Sequence, residues 1–185
     1  MRLFTGIDLP REVRGNLSRL VEKLRPHAPQ LKWSPTKTLH ITTKFIGEVP
    51  DDKLDELTGV LGTLESREPI QIAVRGLGWF PNPHNPRVFW AAVHAPVALA
   101  QLAKETEHLL KPLGVPVEDR PFSPHLTLAR IKPPANLTAL RQAIAALPGD
   151  DFGHFAVTSF HLLLSEPAQD HSVYTSLAEF PLERT

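Results

Sequence analysis

The chain has 185 residues, 42% of them apolar and 22% charged, which is enough for one sizeable core and excludes a disordered or low-complexity class. Its 20 basic and 20 acidic residues cancel, which excludes a coat that wraps duplex nucleic acid through many phosphates, so any nucleic-acid contact must be local. With no cysteine there is no disulfide framework, thiol nucleophile or cysteine-type zinc cluster.

The opening segment reaches an acidic residue at Asp8 without a small-residue cleavage site, so it reads as a strand rather than a signal peptide. A helix follows Pro10, with Val13, Leu17, Leu20, Val21 and Leu24 recurring at helical period. An irregular stretch leads to a strand containing His40-Ile41-Thr42, and a second helix carries Leu54, Leu57, Leu61 and Leu64. Ile70, Ile72 and Val74 alternate as in a half-buried strand. The loop Phe80-Pro81-Asn82-Pro83-His84-Asn85-Pro86 is too polar and proline-rich for a sheet interior and is expected to cross between two halves.

After it the order recurs. A strand begins at Arg87, and a helix after Pro96 carries Leu99, Leu102, Leu109 and Leu110. A strand with His125-Leu126-Thr127 follows, then a helix with Leu137, Leu140, Ile144 and Leu147, then a β-rich run over residues 155–164. That run, broken by Ser159 and His161, falls short of the roughly 20 apolar residues that span a bilayer, and a cytoplasmic monomer with no membrane segment is expected.

Three likenesses share an offset of 85 residues: Arg2-Leu3-Phe4 with Arg87-Val88-Phe89, His40-x-Thr42 with His125-x-Thr127, and Val88-Phe89-Trp90 with Val173-Tyr174-Thr175. Two units and a third copy of the opening strand predict one domain over residues 1–185, with two intertwined lobes that exchange strands.

In a strand, residues two apart share a face, so His40 and Thr42 point one way while Leu39, Ile41 and Thr43 point the other. His125 and Thr127 stand likewise against Leu126 and Leu128. One such strand is weak evidence, because a lone histidine there is usually structural; two at equivalent points of a repeat predict facing halves of one cleft. A neutral imidazole can take a proton from an attacking water while a protonated one gives a proton to a leaving oxygen, which suits phosphoester chemistry near neutral pH. The two hydroxyls can bind phosphoryl oxygens. No metal is required: there is no H-E-x-x-H, no third clustered ligand and no carboxylate within two residues of either histidine. His94, His108, His154 and His161 read as surface or structural, and His84 as within reach of a substrate.

The segments "RLFTGIDLP", "LHITTKFIGEV", "RVFWAAV", "SPHLTLARI" and "VYTSLAEFPL" together resemble the two-histidine (2H) phosphoesterases, specifically the bacterial RNA 2',3'-cyclic phosphodiesterase or 2'-5' RNA ligase-like branch, over nearly the whole chain. The resemblance implies an α+β fold with two lobes of antiparallel sheet, helices outside and a cleft lined by both His-x-Thr strands. It implies hydrolysis of RNA 2',3'-cyclic phosphate ends to a 2'-phosphomonoester without metal or cofactor, with His40 as proton donor, His125 as proton acceptor, and Thr42 and Thr127 on the phosphoryl oxygens. Near symmetry leaves the two histidines chemically interchangeable. Arg130 would grip a phosphate, with a surface salt bridge as its alternative, and Lys44, at the parity of His40, would be a further cleft cation or a solvated edge lysine. Ser123 stands where relatives often have a basic residue. Phe122, Phe4 and Trp33 are candidates to stack on a base, with Phe122 preferred. The same groups could join RNA ends in a 2'-5' linkage or hydrolyse a small cyclic phosphate. A non-catalytic RNA-end binding module needs no acid-base pair, which disfavours it.

Overall fold

Why the chain forms these elements is visible from its first turn. The opening strand, β1 (Arg2–Asp8), buries five consecutive residues between two neighbouring strands. Pro10, in extended conformation, caps helix α1 (Arg11–Leu24), with Glu12 in its first turn and Lys23 in its last to complement the helix dipole. Val13, Leu17, Leu20, Val21 and Leu24 form its buried stripe, each fully buried side chain contributing about 1.5 to 3 kcal/mol. The computed structural model describes residues 1–183.

The other elements are β2 (Lys32–Trp33), β3 (His40–Glu48), α2 (Leu54–Leu61), β4 (Ile70–Phe80), β5 (Val88–His94), α3 (Val97–Leu110), β6 (His125–Arg130), α4 (Thr138–Ala145), β7 (Asp151–Val157), β8 (Ser159–Pro167) and β9 (Ser172–Pro181). They make an α+β fold of two antiparallel sheets, one of four strands in the order β3-β1-β8-β9 and one of five in the order β2-β6-β5-β4-β7. Among the described residues, no helix is long and apolar enough to cross a membrane.

The strand order corrects four sequence expectations. The proline-rich loop does not cross between sheets: it joins β4 to β5, which pair antiparallel in one sheet. The chain changes sheet instead on entering and leaving β2, between α2 and β4, and at Thr158, where the run read as one β segment is cut into β7 and β8. Val173-Tyr174-Thr175 lies in β9 at a sheet edge, whereas β1 and β5 are inner strands, so its likeness to them is one of sequence alone. Lys32–Trp33, inside the stretch read as irregular, adds a strand beside β6.

One close approach depends on a missing side chain. A Cβ at Gly78 would lie 2.2 Å from the Trp90 ring, so glycine alone lets this indole cross β4. Trp90 in turn packs on Phe80, with ring centroids 5.2 Å apart.

Candidate active site

β3 and β6 meet across a cleft of about 690 Å³. His40 and His125 are the first residues of these strands, and with Thr42 and Thr127 they line it. Leu39, Ile41, Leu126 and Leu128 are buried in the core behind, as strand alternation predicts.

The two imidazoles are held alike. His40 Nδ1 lies 2.8 Å from the Thr38 carbonyl and His125 Nδ1 lies 2.9 Å from the Ser123 carbonyl. A carbonyl only accepts, so each Nδ1 carries its hydrogen, and each Nε2 is left to accept or deliver a proton. An aromatic edge fixes each ring: Tyr174 at 5.7 Å from His40 and Phe80 at 5.2 Å from His125, both near perpendicular. The Thr42 and Thr127 hydroxyls bond no other described residue.

The surroundings differ. Asp8, opposite His40 in the β1–β3 pairing, brings Oδ1 to 3.5 Å from His40 Nε2. The same oxygen accepts from Arg14 at 2.6 Å and from the Leu9 N–H at 3.0 Å, while Arg14 also donates to the Thr36 carbonyl. Burial pulls His40 below the ordinary imidazole value; the Thr38 carbonyl and Asp8 oppose that fall, and Arg14 and His161 add to it. By the offset of 85, the residue matching Asp8 is Val93, which is apolar.

One residue was placed by counting alternation too far. The β1–β3 register steps between Thr5 and Gly6, so that Thr5 faces Lys44, Gly6 faces Thr42, and Thr43 is the extra residue of a β-bulge. Past the bulge the faces swap. Phe45, 54% exposed, lines the cleft, and Lys44, 6% exposed, points away. Its ammonium donates to Glu107 at 2.6 Å and to the Pro116 carbonyl at 2.7 Å. Lys44 is thus a paired, mostly buried cation that borders an adjoining cavity rather than the cleft, and Thr43 spends its hydroxyl on Thr5 at 2.7 Å. The same step recurs in β6, where Phe89 faces Ala129, Trp90 faces Thr127 and Leu128 is extra, so Arg130 reaches the cleft side.

Arg130 has no side-chain bond or ion pair with another described residue, which leaves its guanidinium free for a ligand. Arg2 and Lys32 join it, and Asp170 is the sole carboxylate among the described residues lining the cleft, so a neutral chain carries a cationic site. Phe4 and Trp33 also line it. Phe4 is spent on packing against Phe45 and Tyr174, and Trp33 donates its indole N–H to Ala28 at 2.8 Å. Phe122 lies beyond Ser123 in an adjoining cavity, and His84 borders a small separate one with Arg141.

Sequence reasoning missed Asp8, Arg2, Lys32, Phe45, Tyr174 and His171. His171 lines the cleft from the β8–β9 turn and bonds Asp170 at 2.9 Å; that hydrogen bond holds the Asp170 carboxyl below its usual value. Phe45 was findable as the offset mate of Arg130.

Comparison with known proteins agrees with this architecture. The family model described as LigT like phosphoesterase matches residues 7–90 and 93–174. A protein of Methanothermobacter thermautotrophicus named RNA 2',3'-cyclic phosphodiesterase is 33% identical over 183 residues, covering 98% of this chain and 99% of that one. A Thermus thermophilus protein of the same name is 37% identical over 193 residues, covering 98% and 90%. Among solved structures, TT0787 of Thermus thermophilus superposes with a TM-score of 0.81 at 35% identity, covering 98% of each chain. E. coli LigT complexed with 3'-AMP gives a TM-score of 0.79 at 28% identity, covering 99% of this chain and 98% of that one.

Proposed function

Because this chain belongs to the LigT-like phosphoesterase family, we propose that it is an RNA 2',3'-cyclic phosphodiesterase that opens terminal cyclic phosphates to 2'-phosphomonoesters. The observation that carries the reading is the matched pair of imidazoles, each tied at Nδ1 to a backbone carbonyl and each with Nε2 available, across a cationic cleft.

The reacting phosphorus sits between the two strands. His125 Nε2 takes a proton from water as its oxygen attacks phosphorus. The bond to the ribose 3'-oxygen breaks, and His40 Nε2 gives that oxygen its proton. Asp8 distinguishes His40 from His125, which has no such carboxylate: at 3.5 Å it favours the protonated ring against the larger effect of burial, which lowers His40. Thr42 and Thr127 donate to the non-bridging oxygens as charge develops, and Arg130 grips phosphate with a bidentate fork. Arg2 and Lys32 extend the cationic path for the RNA chain. Phe122 serves the base. The chain acts as a single bilobal unit, as a monomer in the cytoplasm, with no metal or cofactor.

The test uses the EDTA-treated protein and an oligonucleotide ending in a 2',3'-cyclic phosphate. The expected product is the 2'-phosphomonoester, and His40→Ala and His125→Ala should each lower the rate by about 10²- to 10⁴-fold with the circular dichroism spectrum unchanged. Turnover that appears only on adding metal, or full activity in either variant, would sink the mechanism.

A further inference from the structure

His40 and His125 are each held at Nδ1 by a carbonyl two residues upstream, Thr38 and Ser123, which are themselves mates at the offset of 85. The two carbonyls are supported in different ways. Thr38 ends a 3-10 turn over Thr36–Thr38: its N–H and its hydroxyl both donate to the Pro35 carbonyl, and the Leu39 N–H and Arg14 both donate to the Thr36 carbonyl. Just upstream, β2 pairs with β6, and the Ser34 N–H donates to Leu128. Main-chain bonds carry the first carbonyl.

Ser123 has no such frame. It stands in residues 115–124, which form neither helix nor strand. From Pro116 to Pro124 no main-chain group bonds another main-chain group among the described residues, and Pro116, Pro121 and Pro124 have no N–H to offer. At the offset of 85 the mates of Lys32 and Trp33 are Val117 and Glu118, and these add no strand beside β3.

Two side chains from other elements take over. Lys44 on β3 donates to the Pro116 carbonyl at 2.7 Å and to Glu107 Oε1 at 2.6 Å, and the same oxygen of Glu107, on α3, accepts the Glu118 N–H. Ammonium, carboxylate and main chain close a ring that ties the segment at two points. The β-bulge at Thr43 makes this possible, because it turns Lys44 away from the cleft and towards the segment. The other lobe has no copy: the offset mates of Lys44 and Glu107 are Ala129, which is buried, and Glu22, which is exposed. A mostly buried ion pair adds little stability over apolar side chains of like size. What this one supplies is direction, since each partner ends on a main-chain polar group.

We propose that Lys44 and Glu107 are positioning residues for the general base: by pinning Pro116 and Glu118 they aim the Ser123 carbonyl that keeps the hydrogen of His125 on Nδ1. The inference rests on the function proposed above. With the clamp gone, the exposed main chain of the segment turns to water, and the Ser123 carbonyl no longer selects one tautomer. A neutral ring with its hydrogen on Nε2 cannot take a proton there from the attacking water.

The test pairs Lys44→Met with the double variant Lys44→Met/Glu107→Leu, which leaves no charge unpaired and should regain stability lost by the single one. For cyclic-phosphate opening, kcat should fall about 10- to 100-fold in the single variant and stay low in the double one. Nitrogen-15 histidine spectra, recorded without substrate at about pH 9, well above the ordinary imidazole value, report the tautomers. Both rings of the unaltered chain should carry hydrogen on Nδ1. In the double variant His125 should show both tautomers while His40 keeps its own. Activity that returns with stability, a His125 that keeps its tautomer, or an equal change in the two rings overturns the proposal. The spectra need no turnover, so an inactive unaltered chain would overturn the reaction and leave the tautomers to decide the clamp.

Discussion

Replacing Asp8 with asparagine tests which histidine is the acid. The substitution keeps an oxygen for the Leu9 N–H and removes one negative charge 3.5 Å from His40 Nε2. Asp8 is 59% exposed, so a water-like dielectric applies, and the lost attraction at 3.5 Å is at most about 1.2 kcal/mol. Arg14, 2.6 Å from the same oxygen, already offsets part of that charge, so less than this is lost and the His40 value falls further below the ordinary one. The sign follows from the role. A general acid must be protonated, so well below the optimum, where His40 is protonated in either protein, kcat/KM should be the same. Above the optimum the variant should be slower, by up to about eightfold. The assay is the pH profile of cyclic-phosphate opening for both proteins between pH 5 and 9. A loss of equal size at every pH would mean that Asp8 only holds structure. A variant that gains at low pH and matches at high pH would make His40 the base and reverse the assignment.

Three further outcomes are expected. Lys44→Met should cost about 2 to 3 kcal/mol in urea unfolding, below the roughly 3 to 5 of a fully buried broken pair because Glu107 keeps some solvent access. Burial pushes the Glu107 carboxyl up, but bonds from the Glu118 N–H and Lys44 outweigh it and hold the group below 4.5; its contribution is present above that value and lost as pH falls through the lowered one, so the difference between the two proteins should close in acid. Gly78→Ala should cost about 1 to 3 kcal/mol and also slow turnover, because the displaced Trp90 ring packs on Phe80, whose edge fixes His125. Arg130→Ala should raise KM and reduce the salt slope of oligonucleotide binding by about one contact's worth, where Lys44→Met leaves that slope alone.

His40, Thr42, His125 and Thr127 could be read from the chain because they precede the bulges, where a period of two still holds. Lys44 follows one, and nothing in "TTKF" marks Thr43 as the extra residue: a bulge is a mismatch with the partner strand, visible only once β1 is paired. Arg130 is placed by its likeness to a family pattern, and the bulge in β6 is the physical reason it borders the cleft. Arg2 and Tyr174 enter the cleft through sheet order, β1 beside β3 and β9 beyond β8, which local periodicity does not encode. The α+β class was legible because helical and strand periods alternate along the chain. The points where the chain changes sheet were not, since a proline-rich loop suits a hairpin as well as a crossing.

Strand order also sets when the molecule can first be complete. β1 is synthesised early, yet its neighbour β8 begins at Ser159 and β9 follows it. Pairings between such distant segments are slow, because chain-closure entropy is spent before contacts are returned. The five-stranded sheet needs only β2 and the continuous run from β4 to β7, all made before β8 leaves the ribosome. Protease protection in stalled nascent chains should therefore appear around β6 before it appears around β1. The half of the site that carries His125 would be settled while the half that carries His40 still awaits its last two strands.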